Sequence, residues 1–123
     1  MPNESKKILS EISAGELLDK ISILEIKLEK ITDEKSQKII QKEFEILKKE
    51  KNLNIKPSDE LNNLIKSIKK INLSLWEIED KIRVCEQKKD FSDTFVQLAR
   101  SVYFKNDERS KVKYAINKLL GSN

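Results

Sequence analysis

Residues 59–88 read DELNNLIKSIKKINLSLWEIEDKIRVCEQK, and eight positions within them decide the fold. Leu61, Leu64, Ile68, Ile71, Leu75, Ile78, Ile82 and Cys85 follow one another at steps of three and four, the spacing that lays an apolar seam along one side of an α-helix. Neither Gly nor Pro interrupts the run, so the spacing predicts one helix over 59–88. At about 1.5 Å per residue it extends roughly 45 Å, longer than a 14.4 kDa globule needs. It is therefore expected to overhang its neighbours or to pair with a second copy of the chain as a homodimer.

Working outward, Pro57 disfavours helix in the residue before it and Ser58 is a good cap for the helix after it, so 52–58 is a turn between two antiparallel helices. Upstream of it, Ile39, Ile40, Phe44, Ile46 and Leu47 mark a helix ending near 51, capped at Thr32-Asp33. Further back, Ser13-Ala14-Gly15-Glu16 has capping-box spacing, and Leu17, Ile21, Leu24, Leu28 and Ile31 carry a second three-four seam over 14–31. Residues 1–12 are read as an extended N-terminal segment. Downstream, Asp90-Phe91-Ser92-Asp93 caps a helix with Phe95, Leu98, Ala99, Val102 and Tyr103, and Val112, Ile116, Leu119 and Leu120 form a last stretch stopped by Gly121. Between those stretches Asn106, Arg109 and Lys113 occupy seam positions. The residue types favour a break near Asn106-Asp107, with Asp107 capping a fifth helix, over a continuous helix facing a polar pocket. The fold expected is an all-α antiparallel bundle of four to five helices in a single domain, built on two long heptad-patterned helices.

Composition sets the limits. The chain has 123 residues, 37% hydrophobic and 37% charged, with no His, one Cys, two Gly and two Pro. Without His it lacks the commonest general base and metal ligand. A single cysteine, Cys85, allows no intramolecular disulfide, no thiolate zinc cage and no Cys-His pair. Gly15 and Gly121 lie too far apart for a Walker loop or a dinucleotide fingerprint. No run of 18 apolar residues occurs, and Met1 to Ser5 lack the cationic start of a signal peptide, so a cytoplasmic protein with no membrane partner is expected. The net charge of +4 is concentrated in 36–70 and 91–123 and is built almost wholly of lysine. Specific readers of nucleic acid prefer arginine, so nucleic acid is an unlikely partner.

Three blocks stand out: Gly15-Glu16-Leu17-Leu18-Asp19-Lys20-Ile21-Ser22-Ile23-Leu24-Glu25-Ile26-Lys27-Leu28-Glu29, then Leu75-Trp76-Glu77-Ile78-Glu79-Asp80-Lys81-Ile82-Arg83, then Phe95 to Asn117 with Arg100, Tyr103, Asn106-Asp107 and Arg109. Together they resemble a small bacterial and bacteriophage family of unknown function over about residues 7–121. The resemblance implies no established activity. It implies a genomic neighbourhood of surface-polysaccharide glycosyltransferases, hence an accessory role in surface-polysaccharide synthesis.

The residues themselves define candidate sites. Glu16, Asp19, Lys20, Ile23 and Lys27 make a second, mixed face on the first helix, as at a pocket wall or helix interface, with Glu25 in the same block; the plain alternative is a set of local ion pairs such as Glu16–Lys20. Trp76, a lone Trp, reads as a core edge or interface anchor. Asp80 and Arg83 share one face. Glu79 or Asp80 joined with Arg100, Tyr103, Asn106, Asp107 and Arg109 would form a charged pocket between helices, against the alternative of simple inter-helix bridges. All three arginines fall in these blocks, as a need for the planar guanidinium fork predicts. An enzymatic alternative gathers Glu16, Asp19, Glu79 and Asp80 around Mg²⁺, as in all-α nucleotide pyrophosphohydrolases; the long separation of the two pairs argues against it. The reading preferred is a non-catalytic interaction or small-ligand-binding module with no cofactor. A weak nucleic-acid binder requires the basic blocks 36–70 and 100–118 to share one surface.

Overall fold

The computed structural model describes residues 7–121. Among them are four α-helices and no strand: α1 (Ala14–Lys30), α2 (Glu34–Asn54), α3 (Asp59–Gln87) and α4 (Asp93–Leu119). The helix starts are written in side chains. Ser13 Oγ accepts the Glu16 N–H at 3.2 Å, an Asp33 carboxylate oxygen accepts the Ser36 N–H at 2.9 Å, and Ser58 Oγ accepts the Leu61 N–H at 3.1 Å. Each such cap is worth about 1 kcal/mol. The box at Ser13 is only half made, because the Glu16 carboxylate turns away to Lys113. At α4, Ser92 occupies the cap position without a side-chain bond, and Asp90 instead accepts the Ser92 N–H at 3.1 Å within the turn. Residues 7–13 precede α1 without regular structure; the first half of the segment expected to be extended lies outside the described residues.

Short connections at 31–33, 55–58 and 88–92 make successive helices antiparallel. The order in space follows from which seams are apolar. α1 is central and packs against each of the other three, whereas the backbone of α2 closely approaches α1 alone. Eight residues of α1 are buried and none of α2. Leu17, Leu18 and Ile21 of α1 meet Leu61 and Ile68 of α3 and Ile116 of α4 in one cluster, with Phe44 and Leu47 of α2 packed against it. Burying each of these side chains contributes about 1.5–3 kcal/mol.

One expectation changes here. α4 runs unbroken through Asn106-Asp107, so there is no fifth helix among the described residues. The polar residues at the seam do not break the helix, because Asn106 and Arg109 face a polar recess between α1 and α3 and a bonding partner meets Arg109 there. α3 and α4 form the most extensive helix pair in the structure.

Candidate functional site

Polar side chains from three helices meet on one side of the core. Asp19 of α1 is only 4% exposed. Its Oδ1 accepts a hydrogen bond from Asn72 Nδ2 of α3 at 2.8 Å, and its Oδ2 lies 3.4 Å from Lys113 Nζ of α4. Asn72 Nδ2 also reaches Ser22 Oγ at 2.7 Å, and that hydroxyl donates to the Asp19 carbonyl at 2.8 Å. The Asn72 amide is thus saturated on its nitrogen side, which leaves Oδ1 to accept Arg109 at 3.4 Å. Lys113 Nζ donates to Glu16 Oε2 at 2.6 Å. Every buried side-chain polar atom among the described residues has a partner, so the network is a satisfied one and stabilises the contact of α1, α3 and α4.

Next to this network opens a recess of about 330 Å³, lined by Ile23, Ile26 and Lys27 of α1, Asn72, Leu75, Trp76 and Glu79 of α3, and Asn106 and Arg109 of α4. One wall is apolar and the other carries amide and charged groups. Arg109 and Lys27 make no salt bridge to a carboxylate among the described residues. Glu79, the one carboxylate of the wall, lies 4.0 Å from Arg83.

The structure therefore brings Lys27, Trp76, Glu79, Asn106 and Arg109 together around the recess and sets Glu16 and Asp19 in the network behind it. The other candidates lie elsewhere. Lys20 is exposed and borders a different groove, so it does not pair with Glu16 as the helical spacing suggested. Lys69 Nζ donates to Glu25 at 3.1 Å and to Glu29 at 3.0 Å, and these bonds to Glu29 and Glu25 hold the pKa of that ammonium above its ordinary value. Asp80 and Arg83 form a surface pair at 2.9 Å. Asp107 is exposed; on the surface, the Arg100 guanidinium lies over the Phe104 ring and Tyr103 meets that ring edge-on. The four carboxylates of the metal alternative are divided, with Glu16 and Asp19 on Lys113 and Glu79 and Asp80 on Arg83. No group of three potential ligands gathers among the described residues. Of the basic blocks, Lys70 shares a groove with Lys105 and Lys111, while the lysines of α2 sit on a helix that approaches neither α3 nor α4.

Sequence reasoning missed Asn72, Ser22 and Asn117, and it placed Lys113 only as a seam position beside Asn106 and Arg109. Asn72 carries a faint signal, being a poor helix former in the middle of an uninterrupted helix. Asn117 is legible only through Gly15, whose N–H donates to its Oδ1 at 2.7 Å.

The Lys113 contact, first among its causes, holds the Glu16 carboxyl below its ordinary value of 4.5. A carboxyl depressed in the folded state contributes stability above its unfolded pKa and loses it as pH falls through the folded one. Thermal midpoints of the native chain should therefore fall more steeply on acidification below about pH 4.5 than those of Glu16→Gln; parallel pH profiles would refute the pairing.

A four-helix bundle with a polar recess among three of its helices is the class the fold defines. The chain belongs to a family of unknown function, DUF6165, which it matches over residues 8–123. No curated protein and no solved structure matches it. No helix among the described residues is long and apolar enough to cross a membrane.

Proposed function

We propose that the protein is a non-catalytic helical module that binds a small anionic ligand in the recess between α1, α3 and α4. The observation that carries this reading is the pair Lys27 and Arg109, two cations of one recess that make no salt bridge to a carboxylate among the described residues. Arg109 is oriented from behind by Asn72, which is itself fixed by Asp19 and Ser22. An arginine held in this way presents the rest of its planar fork to a phosphate or carboxylate. Trp76, Ile23 and Leu75 supply an apolar wall for the body of the ligand, and Asn106 adds an amide for its hydroxyls. A recess of this size lies at the lower end for small-molecule sites, which suits a monosaccharide phosphate better than a whole nucleotide sugar. That ligand class also fits the accessory role in surface-polysaccharide synthesis that the family resemblance implies.

The test is an NMR titration of the full chain with inorganic phosphate, a hexose 1-phosphate and a nucleoside diphosphate sugar, following the Trp76 indole N–H. The hexose phosphate is expected to shift that resonance saturably. Arg109→Gln should weaken binding at least tenfold, because a charge-assisted hydrogen bond contributes roughly 1.5–3 kcal/mol. Arg100→Gln, on the surface away from the recess, should leave it unchanged. A Trp76 signal that none of the three moves would overturn the reading.

A further inference from the structure

α2 lies on the outside of the bundle. Its inner side puts Phe44 and Leu47 on the core, yet its outer side is not fully polar. Ile39, Ile46 and Leu53 recur there every seven residues and are 67%, 55% and 70% exposed. A strict seven-residue repeat drifts by only about 20° per heptad, so the three side chains form one line along the helix. A helix that served only to cover α1 would carry polar groups at those positions. At Ile46 the line meets a trough of about 860 Å³ between α2 and the segment before α1, where Ile8 and Leu9 stand 89% and 95% exposed.

We propose that this face is covered by a second copy of the chain, with α2 packed parallel to its counterpart about a two-fold axis that runs along the helices. Charge selects the orientation. Lys42 and Lys49 flank the apolar line on one side, Glu43 and Glu50 on the other. A two-fold axis along the helices sets the lysine flank of each copy against the glutamate flank of the other, with Lys42 opposite Glu43 and Lys49 opposite Glu50 on both edges. An antiparallel arrangement sets glutamate against glutamate and lysine against lysine, and like charges across such a seam repel. The proposal is independent of the recess on the far side of α1, and it moves the dimer contact from α3, where the sequence suggested it, to α2.

Sedimentation equilibrium of the full chain tests it. The expected result is a rise from one to two chain masses with concentration, abolished by Ile46→Glu while helical circular dichroism is retained. Orientation is read by oxidation of I39C, which should crosslink to a second I39C chain, with the native chain as control because Cys85 is buried. A single-chain mass up to about 1 mM would overturn the proposal. So would a dimer that survives Ile46→Glu, or one that gives no I39C crosslink.

Discussion

Asp19→Ala is expected to lower the unfolding midpoint by about 10–15 °C, more than any substitution of an exposed residue in this chain. Asp19 is a carboxylate almost wholly removed from water and compensated by one amide and one ammonium. Removing one partner of a buried pair typically costs about 3–5 kcal/mol, because the remaining charge and donor stay buried without a counterpart. Here Lys113 keeps Glu16 and Asn72 keeps Ser22, so the lower end, about 3 kcal/mol, applies, and for a chain of this length that converts to the shift stated. Asp19→Asn separates the two components. It preserves an acceptor for the Asn72 amide while removing the charge facing Lys113, and should fall about midway between the native chain and Asp19→Ala. The cost of Asp19→Ala should also shrink in a Lys113→Met background, since a pair replaced as a unit leaves no orphaned charge. Equal costs in the two backgrounds would mean that the 3.4 Å approach of Lys113 carries no energy. The substitution reaches the recess as well: with Asp19 gone, Asn72 loses the bond that orients its oxygen toward Arg109.

How much of this is legible in the sequence depends on whether a feature is periodic or depends on register. The seams of α1 and α3 repeat many times, so their helices and the caps at Ser13, Asp33 and Ser58 can be read locally. The mixed second face of α1 is also visible, because Asp19 and Lys27 interrupt isoleucines on the same side of a helix. What the sequence does not carry is the axial offset between helices. Trp76 and Asp80 are neighbours in one block, yet Trp76 lines the recess while Asp80 faces solvent with Arg83, because four residues carry the chain about 6 Å further along α3, past the level of the recess. Likewise Arg100 and Arg109 belong to one motif, and only the second lies at the level where Asn72 arrives from α3. The continuity of α4 is hidden for a related reason. Asn106 and Asp107 resemble a cap when no neighbour is known, whereas the observed helix turns Asn106 inward and leaves Asp107 outside. The length of α3 is matched within the chain, because a nearly equal α4 follows it back.

Gly15→Ala is expected to destabilise the fold by about 1–3 kcal/mol, although helix propensity alone predicts the opposite sign. In the first turn of an isolated helix, alanine is favoured over glycine by up to about 1 kcal/mol. In the folded chain, Gly15 lies where α1 crosses α4, and its N–H donates to Asn117 Oδ1 at 2.7 Å. A Cβ added there would sit 2.6 Å from the Lys113 carbonyl oxygen and 2.9 Å from Asn117 Oδ1. The Asn117 amide can rotate aside, but a carbonyl oxygen in the middle of α4 moves only with its helix. The two backbones must therefore separate by several tenths of an ångström, which strains the Gly15–Asn117 bond and draws Lys113 away from Glu16 and Asp19 at the same crossing. Overpacking at such a rigid contact costs about 1–3 kcal/mol, larger than the gain in propensity. Urea unfolding of Gly15→Ala checks the sign, with Asn117→Ala as companion: the latter removes the bond but not the close approach, so it should cost only about 1 kcal/mol. A Gly15→Ala chain more stable than the native one would show that α1 and α4 are free to slide apart, and that their crossing does not fix Lys113 behind the recess.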